Sequence, residues 1–244
     1  MPTVIDAHCH VGKGMMNSQT PESLLEQMDR LGISQSVIVP WDQAVAVDNE
    51  SGNDYVLSLA DRYPDRLIPF CTVNPWYGRR AVDELKRAVG RGAKGLKINP
   101  VYQGYQLTDP ILYPVIEAAV ELNIPIYVPT GIPVMSMPLQ LKHLACEFPE
   151  GVFIQGHFGA TDFWIDAIPS VENCPNIYVD TSYNIVSLIE KAVKTLGAER
   201  VIFSSDSPYL SLQSELEKID MLAVSEREKE LIVSGNIQRL LGVG

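Results

Sequence analysis

Two histidines stand two residues apart at the end of an apolar run, "VIDAHCH" (Val4–His10). The run alternates like a β-strand, in which residues i and i+2 share a face. Asp6, His8 and His10 are therefore expected on one side, and Ile5, Ala7 and Cys9 on the other. Two imidazoles on one face at this spacing can grip a single metal ion once other donors complete the set. A strand whose histidines only satisfy hydrogen bonds has the same local pattern, so other parts of the chain must discriminate.

Further chemistry-bearing residues close other apolar runs. Lys97 ends "GLK", Pro129 and Thr130 follow "IYV", His157 lies in "GHFG" and Asp206 in "SSDSP". Alone, His157 is compatible with capping a turn, and Asp206 with a loop aspartate ahead of Pro208. Jointly, three of the four histidines and an aspartate fall at the ends of predicted strands, which favours a shared metal site. The remaining histidine, His143, lies in the helical pattern "LQLKHLACEF" and is expected on a helix surface or in packing.

The elements that must position these residues follow from periodicity. Strand-like runs are Val4–His10, Ser36–Pro40, Leu67–Val73, Gly95–Ile98, Pro125–Val128, Val152–Gly156, Ile177–Asp180 and Val201–Ser205. Helical patterns separate them. "TPESLLEQMDRLG" has Thr20 as N-cap, Pro21 in the first turn and Gly32 as its stop. "DYVLSLADRYP" stops at Pro64, "DPILYPVIEAAVELN" starts at Asp109 and Pro110, "TDFWIDAIPSVENCP" is a weaker interrupted helix, and a long helical tail runs from Leu212 onward. Eight short, largely apolar strands alternating with eight helical segments predict an α/β protein with a parallel sheet closed into a (β/α)₈ TIM barrel. No glycine-rich nucleotide loop follows any strand. No linker-like shift in composition occurs, so residues 1–244 are expected to form a single domain. In such barrels the chemistry sits at the C-terminal ends of the strands, where the residues above lie.

Composition excludes several alternatives. The 244 residues are 46% hydrophobic and carry a net charge of −11, which disfavours nucleic acid and anionic membranes as partners. There is no apolar run of membrane-spanning length and no leader-like start; Met1, Pro2 and Thr3 lead straight into a strand, so a cytoplasmic location is expected. Cys9, Cys71, Cys146 and Cys174 are scattered, unlike a disulfide framework or a zinc knuckle. Cys9 is expected to be a packed thiol facing away from the histidines. A small-molecule substrate is the expected partner, and a homo-oligomer is compatible with the sequence.

The ordered motifs "DAHCH", "GLKINP", "IYVPTG", "GHFG", "NIYVDTS", "FSSDSP" and "SGNIQRLLG" span the chain, which thereby resembles the amidohydrolase superfamily. More narrowly, it is similar to the TIM-barrel branch of metal-dependent hydrolases that also includes decarboxylases and lactonases. The resemblance implies that His8 and His10 are metal ligands and that Asp206 is a ligand that also takes a proton from an attacking water. It implies that His157 is an acid/base or substrate-polarising group, with capacity to serve as a fourth ligand. The chain departs from the family at Pro129, which stands where a fifth-strand histidine ligand is usual and has no side-chain donor atom. Lys97 stands near the family's fourth-strand lysine, but without that histidine a second ion would lack ligands. Lys97 is thus read either as an ammonium for a substrate carboxylate or as a structural ion-pair partner.

One divalent ion, expected to be zinc, with its bound water then gives hydrolysis of a small amide, lactone or ester. The alternative is non-oxidative decarboxylation of a small carboxylic acid, seated by Lys97, Lys13 or Arg79. A metal-independent lactonase or a degenerate barrel that binds without turnover completes the set. Met135 and Met137, in the loop after the fifth strand, are candidates for an apolar pocket lining or for surface packing.

Overall fold

Short runs rich in Val, Ile, Leu, Phe and Tyr become strands here because each can bury both faces, one on a central core and one on helices. The computed structural model describes residues 3–159 and 163–242, and in it the strands are β1 (Ile5–Lys13), β2 (Ser18–Gln19), β3 (Gln35–Pro40), β4 (Leu67–Thr72), β5 (Gly95–Lys97), β6 (Ile126–Pro129), β7 (Phe153–Gly156), β8 (Ile177–Asp180) and β9 (Val201–Ile202). Neighbours pair in parallel from β1 through β3 to β9, while β2 folds back antiparallel on the end of β1. The sheet closes on itself. The Ala7 amide donates to Phe203 O at 3.0 Å, the Asp206 amide to His8 O at 2.9 Å and the His10 amide to Ser207 O at 2.7 Å. This is the expected eight-stranded barrel, with β2 as an addition.

The expected facing of β1 needs correction. Its register against β3 slips between Asp6 and Cys9, so that one extra residue is inserted in β1. Such a bulge interrupts strict alternation. Ile5 and Ala7 consequently pack in the central cluster with Val37, Val39, Ile68, Phe70, Tyr127, Ile154 and Ile202. Beyond the slip, Cys9 and Val11 join the outer layer with helix residues such as Leu24 and Met28, as expected for Cys9. Asp6 does not share the role of His8 and His10. Its carboxylate instead accepts the Ser205 amide at 2.9 Å, the Ser205 hydroxyl at 2.6 Å and the His8 amide at 3.2 Å, so it ties the closing seam.

Helix ends follow their local chemistry. Thr20 Oγ1 accepts the Ser23 amide at 3.1 Å, Pro21 opens Pro21–Leu31, and Gly32 closes it in the left-handed region at φ 71°. The helix expected from Asp54 begins earlier, at Asn49, and the Asp109–Pro110 start forms a 3₁₀ turn before helix Tyr113–Glu121. The weak helix expected from Thr161 is observed as Trp164–Val171; Thr161 and Asp162 lie outside the described residues. The C-terminal tail is not one helix. Ser225 caps a fresh start, and a π-helical turn at Leu231–Gly235 precedes Asn236–Leu241, whose Ile237 packs into the barrel core. No helix among the described residues is long and apolar enough to cross a membrane.

Candidate active site

β1 carries both histidines to one end of the barrel, where their ring centroids stand 4.9 Å apart in a T-shaped pair. His10 Nδ1 lies 3.0 Å from Pro40 O. Against a carbonyl a ring nitrogen can only donate, so the proton sits on Nδ1 and Nε2 keeps its lone pair. That nitrogen faces Asp206 Oδ1 at 3.6 Å, and His8 Nε2 stands 3.3 Å from the same oxygen. Burial is the largest cause holding both histidines below the usual imidazole pKa, so both are neutral near pH 7.

One donor atom from each of His8, His10 and Asp206 lies within 4.8 Å of the other two. Asp206 Oδ1 is buried and has no hydrogen-bond donor among the described residues. An acceptor buried without a donor is costly. Two neutral imidazole nitrogens and a carboxylate oxygen are, by contrast, a suitable donor set for a divalent first-row ion. The residues fit such an ion.

Lys97, at the end of β5, is almost fully buried and places Nζ 2.9 Å from His8 Nε2 and 4.2 Å from the centroid of the Tyr127 ring. Burial draws its ammonium down to about 7, against the opposing pull of Asp206 and Asp180. His157 follows β7. Its ring centroid lies 6.1 Å from that of His8, its Nδ1 is 2.9 Å from Ser182 Oγ, and it falls outside the group of three converging donors. Burial lowers its pKa to about 3. His143 is on the surface.

These side chains open onto a cavity of about 290 Å³. His10, Lys97, His157 and Asp206 line it, together with Pro129, Thr130, Asn99 and the tyrosines Tyr102, Tyr183 and Tyr209. The end of the fifth barrel strand, β6, thus faces the site with an apolar ring where an imidazole is usual in the family. Lys13, Arg79, Met135 and Met137 are not part of this lining. Arg79 is 92% exposed and faces Asp83, which leaves Lys97 as the cation at the cavity.

Several residues that hold the site were not singled out from sequence. Tyr127 stacks on His8 with centroids 4.0 Å apart and donates its hydroxyl to Asp180. Asp180, at the end of β8, also accepts the His157 amide at 2.8 Å and the Ser204 hydroxyl at 2.5 Å. Its position at a strand end, in "NIYVDTS", was the available signal. His157, Tyr183 and Asp206 hold left-handed φ of 61°, 60° and 51°, a strained backbone for residues with side chains. The contacts just described hold two of them: Asp180 takes the His157 amide, and the Asp206 amide is bound to β1.

A closed α/β barrel with a His-x-His pair and an aspartate converging at one mouth defines the class. The chain belongs to the amidohydrolase family, whose model matches residues 5–243. No curated protein matches it. Among solved structures, it is similar to an uncharacterised TIM-barrel protein of Bordetella bronchiseptica, at 20% identity and TM-score 0.82 over 98% of each chain. It is also similar to 5-carboxyvanillate decarboxylase of Sphingomonas paucimobilis, at 16% identity and TM-score 0.83 over 100% of each chain. A third likeness is to a dihydroxybenzoic acid decarboxylase of Polaromonas with bound manganese and the inhibitor 2-nitroresorcinol, at 17% identity and TM-score 0.79, covering 99% of this chain and 97% of that one.

Proposed function

We propose that this chain is a metal-dependent, non-oxidative decarboxylase of a small aromatic carboxylic acid. The observation that carries the reading is the Lys97 Nζ, buried at the cavity wall 2.9 Å from His8, beside the three-donor cluster and over the Tyr127 ring. A buried cation next to a metal-binding cluster suits an anionic substrate better than a neutral ester or amide. The decarboxylases among the similar structures support the same choice over hydrolysis.

His8, His10 and Asp206 would hold one divalent cation, and manganese is the ion named with the Polaromonas relative. Bound there, the ion would supply Lewis-acid polarisation of the acid's oxygens. Lys97 Nζ seats the carboxylate by a charge-assisted hydrogen bond. Tyr102, Tyr183 and Tyr209 cover the ring and displace water, which strengthens that ion pair. When the carbon–carboxylate bond breaks, carbon dioxide leaves and its electron pair stays on the ring carbon. The Lys97 ammonium, next to the departing group, returns a proton to that carbon and is reprotonated from solvent. His157 also lines the cavity, where its Nε2 would meet the substrate, and decarboxylation by this route uses no attacking water.

The test is a paired assay on chelator-stripped protein with manganese restored. Hydroxybenzoates should lose carbon dioxide, and lactones, esters and amides of similar size should persist. Turnover of the second panel alone would restore the hydrolytic reading; binding without turnover in either would mark a ligand-binding barrel.

A further inference from the structure

Asp180 and Ser182 are buried behind His157, and neither lines the cavity. Ser182 Oγ stands 3.2 Å and 3.1 Å from the two Asp180 oxygens and 2.9 Å from His157 Nδ1. Asp180 therefore faces four donors: the Ser182, Ser204 and Tyr127 hydroxyls and the His157 amide. An ionised carboxylate can only accept, and a serine has one proton to give. With that proton directed to Asp180, the Ser182 oxygen meets His157 as an acceptor, and Nδ1 must supply the hydrogen.

We propose that Ser182 and Asp180 are positioning residues that fix His157 as its Nδ1–H tautomer, so that Nε2 faces the cavity as a hydrogen-bond acceptor. The anchoring is twofold. One carboxylate holds the His157 backbone amide, where φ is 61°, and through Ser182 also holds the ring. Asn184 Nδ2 adds a bond to Ser182 O at 3.3 Å, which ties the same loop. Among the described residues Nε2 has no hydrogen-bond partner, so it is the ring atom free to meet a ligand. A substrate is recognised there by a donor, such as a ring hydroxyl, and not by an acceptor such as a carboxylate. This consequence rests on the reading of His157 as substrate-facing; the tautomer is measured without substrate and fails or stands separately from the reaction.

The experiment is nitrogen NMR of the full chain labelled at histidine ring nitrogens and loaded with zinc, a diamagnetic ion, with His157 assigned by loss of its signals in His157→Gln. In the wild type, Nδ1 should resonate as protonated and Nε2 as unprotonated. Ser182→Ala should shift the pair towards the opposite or a mixed pattern and lower kcat more than it changes KM. Ser182→Thr, which keeps the hydroxyl, should retain the wild-type pattern. A protonated Nε2 in the wild type would overturn the proposal, as would a Ser182→Ala spectrum identical to wild type. Should Ser182→Ala fail to fold, the wild-type and Ser182→Thr spectra decide.

Discussion

Lys97 carries two roles in this account, holding the substrate carboxylate and returning a proton, so its removal is expected to be severe. Lys97→Met should lower the rate of carbon dioxide release by about 10²–10⁴-fold, the usual scale for a lost acid–base group. Metal retention should survive, since Lys97 is not one of the three converging donors; kinetics and metal content on one preparation check both. Pro129 sits on the cavity wall but offers no donor atom. Pro129→His should tighten manganese binding in competition with a chelator; an unchanged dissociation constant would mean that a side chain there does not reach the ion. At this scale the sequence was legible where histidine, lysine or aspartate stands in or just after an apolar run, as His8, His10, Lys97, His157 and Asp206 do, although Asp180 at the end of β8 was passed over. Tyr102, Tyr183 and Tyr209 were not legible, because loop residues reach the cavity through paths that no periodicity encodes.

Among the elements, β1 shows where pattern reading stops. Alternation places Asp6 with the histidines, yet the bulge separates them, and Asp6 is bound instead to a partner 199 residues away in sequence, Ser205. Closure of a barrel is a long-range event, and a local period carries no record of it. Aromatic packing inside the barrel is also paired across strands. A Cβ on Gly156 would come within 2.4 Å of the Tyr127 ring, and one on Gly95 within 2.4 Å of the Phe70 ring. Gly156→Ala must therefore move Tyr127, which stacks on His8 and bonds to Asp180. The expected cost is about 1–3 kcal/mol of stability, read by urea denaturation. Activity should fall further than that loss explains at temperatures where the variant remains folded.

For the whole molecule, stability and pH are linked through carboxyls buried inside the barrel. Burial raises Asp180 from 3.8 to about 6, with hydrogen bonds from Ser204, Tyr127 and the His157 amide opposing the rise. A carboxyl whose folded pKa is raised binds its proton more tightly in the native state. Its stabilising contribution is full below the unfolded value near 3.8 and is lost as pH rises through about 6. Asp180→Asn removes this titration. The stability difference between wild type and variant should accordingly shift by ~2–3 kcal/mol against wild type from pH 4 to pH 7, measured by urea denaturation at each pH.

Decarboxylation differs from hydrolysis in one atom of the product: the carbon that bore the carboxylate gains a hydrogen from the protein and, through it, from solvent. The most direct measurement is therefore turnover of a hydroxybenzoate by the manganese-loaded chain in deuterium oxide, with mass and proton spectra of the product. The account predicts one deuterium at the carbon that lost carbon dioxide, in every product molecule. Recovery of the hydroxybenzoate with its carboxyl group intact and no deuterated product, while the same preparation cleaves an ester or amide of that acid, would contradict it.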